Sequence, residues 1–135
     1  VTTTSESSAA KSETQARFDR IIAQMKDPER SAFGFVVYPE STPVVEAYRA
    51  MEDLRAAGID TQFVVANQVL EEEYCSNDFF RKRRAMQEKY LGEINRLFKL
   101  PVTIMPLFET EITGLDMVER GADALFAEAM EKTSI

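Results

Sequence analysis

A chain of 135 residues that is 44% apolar and 29% charged suits one globular core and holds no run near the roughly 20 apolar residues of a membrane span. Its net charge of −7 disfavours nucleic acid and anionic membrane as partners of the whole surface. With no histidine and only Cys75, a zinc centre or His-based triad is not expected from this chain alone, an intramolecular disulfide is excluded, and a reducing compartment fits.

The chain opens on Val1, and residues 1–12, VTTTSESSAAKS, are small and polar without periodicity. They read as a disordered arm or linker, and with Val1 they suggest a piece of a longer protein, the alternative being simple removal of an initiator Met. No charged-then-apolar leader is visible, so the expected location is the cytoplasm. From Glu13 the pattern turns helical, with Phe18, Ile21, Ile22 and Met25 on one face until Asp27-Pro28 stops it. Phe33 to Tyr38, FGFVVY, is a continuous apolar run of the kind found in strands covered on both faces. Ser41-Thr42-Pro43 starts the next helix, with Thr42 the expected N-cap. Val44, Tyr48, Met51 and Leu54 form its apolar side, and Gly58 ends it in left-handed geometry.

The second strand is TQFVVANQVL, residues 61–70, a buried-looking run interrupted by two amides. Buried amides cost free energy unless each donor and acceptor is matched. After the loop EEEYCSND, Asp78 is expected to cap a long helix whose inner stripe is Met86, Tyr90, Ile94, Leu97 and Phe98. Pro101 marks the break, VTIMPL (102–107) is the third strand, and FETEITG leads to a last helix. That helix carries Leu115, Val118, Ala122, Leu125 and Phe126 on one side, and the tail 131–135 should fray. The order α-β-α-β-α-β-α predicts a three-layer α/β fold with a parallel sheet, spanning residues 13–130. Three apolar strands make a thin sheet, so further strands are expected from chain beyond these residues or from a partner.

In open α/β sheets a ligand lies beyond the carboxyl ends of the strands. Three polar segments converge there: 39–42, Asn67-Gln68, and 106–113. An Asn side chain matches the edge of a purine. Asn67 is therefore either a nucleobase reader or an amide satisfied by a neighbouring loop. No GxxxxGK[ST] occurs, so these residues hold no phosphate cradle and no visible catalytic machinery. The run Arg81–Arg84 reads as a solvated face, although it opposes the helix dipole and so retains a partner role. Glu71–Glu73 reads as a solvated loop, Cys75 as a bystander, Phe79-Phe80 as core by default, and Glu109 with Glu111 as loop caps.

A strand ending in Pro-Glu, a strand ending in Val-x-Asn-Gln, the helix RRAMQEKYL and MPLFETEITGL follow in order. This series resembles the C-terminal part of the arsenical pump-driving ATPases, and of the related ATPases that deliver tail-anchored membrane proteins, over residues 17–127. The resemblance implies a P-loop NTPase domain that dimerises, or pairs with a fused half, around ATP, with Mg and the phosphate chemistry supplied through an upstream portion. It implies nucleotide contacts at Glu40, at Asn67 (adenine), and at Pro106, Leu107, Phe108, Glu109, Thr110, Glu111, Ile112 and Thr113, which wrap the base. Gln68 is then expected to satisfy neighbouring backbone. The implied partners are the ATPase's own N-terminal portion, a second copy or pseudo-dimer half, and a membrane pump subunit or tail-anchored client. Cys75 stands without the Cys-x-x-Cys pair of the tail-anchored branch, so no bridging zinc is expected. The alternatives are a self-standing, non-catalytic α/β module and a response-regulator-like domain; the latter lacks its acidic cluster after the first strand.

Overall fold

The computed structural model describes the backbone of residues 3–133 and the side chains of residues 12–126. Helix α1 (Thr3–Lys26) is followed by strand β1 (Gly34–Val37), helix α2 (Ser41–Ala56), strand β2 (Phe63–Val69), a 3-10 turn (Glu72–Tyr74), helix α3 (Asp78–Phe98), strand β3 (Val102–Pro106) and helix α4 (Gly114–Thr133). The strands form one parallel sheet in the order β1-β2-β3, as the alternation of apolar strands with helices predicts.

Register places Val37 beside Ala66 and Val64 beside Val102. Paired residues of a parallel sheet share a face, so Phe35, Val37, Val64, Ala66 and Val102 look the same way. Helices α2 and α3 cover that face and pack on each other. The core there joins Val44 and Met51 of α2 to Ile94 and Phe98 of α3, all nearly inaccessible. Helix α4 packs on β3, where Met105 and Ile112 reach Gly121. The second face is open in part: Val36 is 66% exposed and Phe63 41%, while Val65, registered with Val36, is buried. Phe63 lays its ring over its registered neighbour Gly34, filling the place of a β-carbon.

The helix termini show how local chemistry positions the rim. Ala57 and left-handed Gly58 (φ +80°) end α2, with Ile59 N–H donating to Leu54 O at 2.9 Å in a Schellman pattern. Lys99 turns left-handed at the end of α3, just before Pro101.

Several expectations are corrected. Helix α1 starts at Thr3 instead of Glu13, because no glycine or proline interrupts residues 3–26 and Ala9, Ala10 and Lys11 favour helix. Its stripe is unpacked: Phe18, Ile21 and Ile22 are 45–59% exposed. The N-cap of α2 is Glu40, not Thr42, because the tight turn from Tyr38 O to Glu40 N–H begins the helix early. Asn77, not Asp78, caps α3, its Oδ1 accepting from Phe80 N–H at 3.1 Å while Asp78 pairs with Arg81. Among the described residues of α4 the buried position is Gly121, which permits close approach to β3, while the expected inner residues Leu115, Val118 and Phe126 are exposed. Phe79 and Phe80 stand 67% and 37% exposed, stacked edge to face on each other instead of in the core. The tail is helical to Thr133, and Ser134 and Ile135 lie outside the described residues.

Candidate functional site at the carboxyl end of the sheet

Strand β2 is regular to Ala66 and then bulges. Its pairing with β3 jumps from Ala66–Ile104 to Val69–Pro106. Within the bulge Gln68 has φ +57°, a left-handed conformation that L-residues other than glycine, Asn and Asp seldom adopt. The bulge frees Asn67 and Gln68 from the ladder and turns them to the rim. Asn67 is half-buried, and its side chain has no hydrogen bond among the described residues. Gln68 is exposed, so its amide does not serve the neighbouring backbone as expected.

That task falls to Gln87 of α3, which sequence reasoning passed over. Gln87 is 5% exposed. Its Nε2 donates to Gln68 O at 2.9 Å, and its Oε1 accepts from Leu70 N–H at 2.8 Å. An amide matched at both ends is a low-cost occupant of a core. The signal was positional: Gln87 sits in line with Leu91, Ile94 and Phe98 at helical spacing.

The basic run is likewise more than a solvated face. Arg83 donates to the Glu40 carboxylate at 2.6 Å, and Arg84 donates to Leu70 O and to Glu88 at 3.0 Å. Arg81 pairs with Asp78 and donates to Ser76 O at 3.2 Å. Helix α3 thus ties the ends of β1 and β2. Val69 O accepts from Leu107 N–H at 2.9 Å, which ties in the segment after β3.

A cavity of about 330 Å³ lies between Asn67, Gln68, Met105, Pro106, Leu107, Phe108, Thr110, Glu111 and Ile112. That volume is at the small end of ligand pockets, which start near roughly 300 Å³. Most of the residues expected to wrap a base therefore stand around Asn67. Glu109 lines a neighbouring cavity with Leu70, Tyr74, Phe80, Leu107 and Phe108. Glu40 lines a third, of about 280 Å³, together with Arg83. Leu107 belongs to all three walls. Thr113 lies outside the lining of the Asn67 cavity and directly precedes Gly114, whose φ of +79° turns the chain into α4.

Electrostatically the rim has two sides. Near the 3-10 turn, the Tyr74 hydroxyl is raised by its hydrogen bond to Glu73 and by the charges of Glu73, Glu71 and Glu109. An acidic flank of this kind repels polyphosphate. On the other side Arg120 donates to Glu109 at 2.6 Å and stacks its guanidinium 5.0 Å over the Phe108 ring. That hydrogen bond lowers the Glu109 pKa and raises that of Arg120. A carboxylate with a depressed folded-state pKa gives stability above its unfolded value and loses it as pH falls through the lowered one. The link between the 107–113 loop and α4 is therefore expected to loosen only in acid, below the ordinary glutamate range. Hydrogen exchange of the amides around Arg120 as a function of pH would show it, and an Arg120→Leu variant should abolish the acid step. The pair is solvent-exposed, so the effect on global stability is small.

Cys75 is half-buried, its Sγ 3.5 Å from Glu71 O and 3.7 Å from Phe80 O. Among the described residues no cluster of three or more His, Cys, Asp or Glu side chains could hold a metal ion. No helix is long and apolar enough to cross a membrane among those residues.

The family model of the anion-transporting ATPases matches residues 2–127. An arsenical pump-driving ATPase, by its assigned name, of Halobacterium salinarum is 50% identical over 109 residues, 79% of this chain and 17% of that protein. ATPase GET3A of Arabidopsis thaliana is 32% identical over 103 residues, 75% of this chain and 29% of its own. ATPase GET3 of Chaetomium globosum is 35% identical over 113 residues, 82% of this chain and 33% of its own. The chain spans between about a sixth and a third of the length of these curated relatives.

Proposed function

The chain belongs to the anion-transporting ATPase family, and from that premise we propose that it forms the adenine-binding, C-terminal part of an ATP-hydrolysing pump-driving ATPase. One observation carries the reading: Asn67, half-buried and without an internal hydrogen bond among the described residues, faces a cavity walled by the loop that follows β3. An amide in that state can exchange a donor and an acceptor with the edge of adenine. Residues 106–108 and 110–112 enclose the base, and Glu40, held by Arg83, stands at the adjoining end of β1.

The phosphates extend away from the acidic flank, toward a P-loop portion outside these 135 residues. Mg²⁺ travels with those phosphates and is assigned to the same portion, since residues 1–135 carry no GxxxxGK[ST] cradle. The exposed Val36 and Phe63 of the sheet and the bare stripe of α1 support incompleteness, because each leaves large apolar side chains without a covering element. In this reading ATP closes two such halves on each other and hydrolysis releases them in the cytoplasm. The 50% identity to the arsenical pump-driving protein, against 32–35% for the GET3 proteins, favours arsenite export over delivery of a membrane-protein client.

The isolated chain is expected to bind ATP weakly or not at all and to show no turnover. Calorimetric titration and a phosphate-release assay check both points. Turnover by these residues alone would overturn the reading, while tight binding without turnover would favour a self-standing, non-catalytic module.

A further inference from the structure

Among the described residues Gln87 is the buried polar one, and its position explains a strained segment. Gln68 adopts φ +57° without glycine's freedom, a conformation that persists only where the surroundings over-determine it. The side chain that bridges the two ends of this segment is Gln87. Gln87 grips Gln68 O at 2.9 Å and Leu70 N–H at 2.8 Å, one partner on each side of Val69. Val69 O in turn holds Leu107 N–H at 2.9 Å, the point where the chain leaves β3. Asn67 directly precedes the gripped bulge and Leu107 begins the loop beyond it, and both line one cavity. We infer that Gln87 is a positioning residue for nucleobase recognition, acting through the Gln68 bulge to set the Asn67 amide and the 107–112 loop. The inference rests on the base-binding reading above and extends it to a residue that touches no ligand.

A direct comparison of Gln87→Leu with Asn67→Ala, in the intact ATPase that contains this chain, tests it. Gln87→Leu removes both hydrogen bonds at similar volume. Losing the equivalent of one net hydrogen bond in positioning should raise the ATP dissociation constant roughly three- to tenfold. The preference for ATP over GTP should narrow in parallel, and kcat at saturating ATP should change less than the KM. If Gln87→Leu does not fold, Gln87→Glu is read in the same way. It keeps the acceptor toward Leu70 N–H and loses the donor toward Gln68 O. Restoration of affinity by adding Gln68→Gly, which suits the left-handed bulge unaided, would support the route through residue 68.

Weakened ATP binding in both variants supports the inference. Weakening by Asn67→Ala with unchanged affinity and ATP/GTP preference in the folded Gln87 variant leaves Gln87 merely structural and overturns it. Unchanged affinity in both overturns the base-binding reading beneath it as well. Weakening by the Gln87 variant alone also overturns it, since Gln87 would then not act through Asn67.

Discussion

Phe98→Ala is expected to destabilise the fold by about 3–5 kcal/mol, the range for removing a buried aromatic side chain. Phe98 is 3% exposed and meets Tyr48 edge to face, with ring centroids 5.9 Å apart and planes at 84°. The Phe35 ring centroid lies 6.3 Å from that of Phe98, with the planes tilted by 54°. One ring therefore joins β1, α2 and α3, and its loss leaves a cavity that none of the three can close without leaving the others. A small domain has only about 5–15 kcal/mol in total, so the variant should be marginal. Urea unfolding by far-UV circular dichroism would show the midpoint falling at an unchanged slope. Phe98→Leu should lose much less, and equal losses in the two variants would mean that ring packing is not what joins the layers.

Asn67→Ala is expected to act in the opposite way, on binding and not on folding. Loss of an amide that pairs with a base edge corresponds to about 1–3 kcal/mol, or roughly ten- to a hundredfold in affinity. Its structural cost should stay below about 1 kcal/mol, because the side chain is half-buried and leaves no buried partner unsatisfied. ATP titration and thermal melting of the intact ATPase separate the two effects. A destabilised variant with wild-type affinity would make Asn67 a structural amide.

The location of the rim was legible because it depends on strand direction alone. Apolar runs at 33–38, 61–70 and 102–107 alternate with helical periodicity, and parallel strands send their polar ends to one side. What joins that rim was not legible. Glu40 and Arg83 lie 43 positions apart, and no local rule pairs them. Gln87 was obscured because an amide among Arg83, Arg84, Glu88 and Lys89 looks like part of a wet helix face. Asn77 lost to Asp78 in the reading because both cap helices equally well, and only backbone geometry chooses between neighbours. The inner side of α4 was misjudged for a related reason. Periodicity follows the large apolar residues, whereas close packing on β3 selected the small one, Gly121.

The β1-β2-β3 order also bears on kinetics. No two strands meet through a hairpin, so the first sheet pairing must close a loop of roughly thirty residues before any ladder bond rewards it. Folding should thus begin in the helices and wait on β2, the strand shared by both pairings. Substitutions at Val64 or Ala66 would slow folding in step with the stability they remove, whereas changes in the rim, whose bulge forms only after the ladder, would register mainly as faster unfolding.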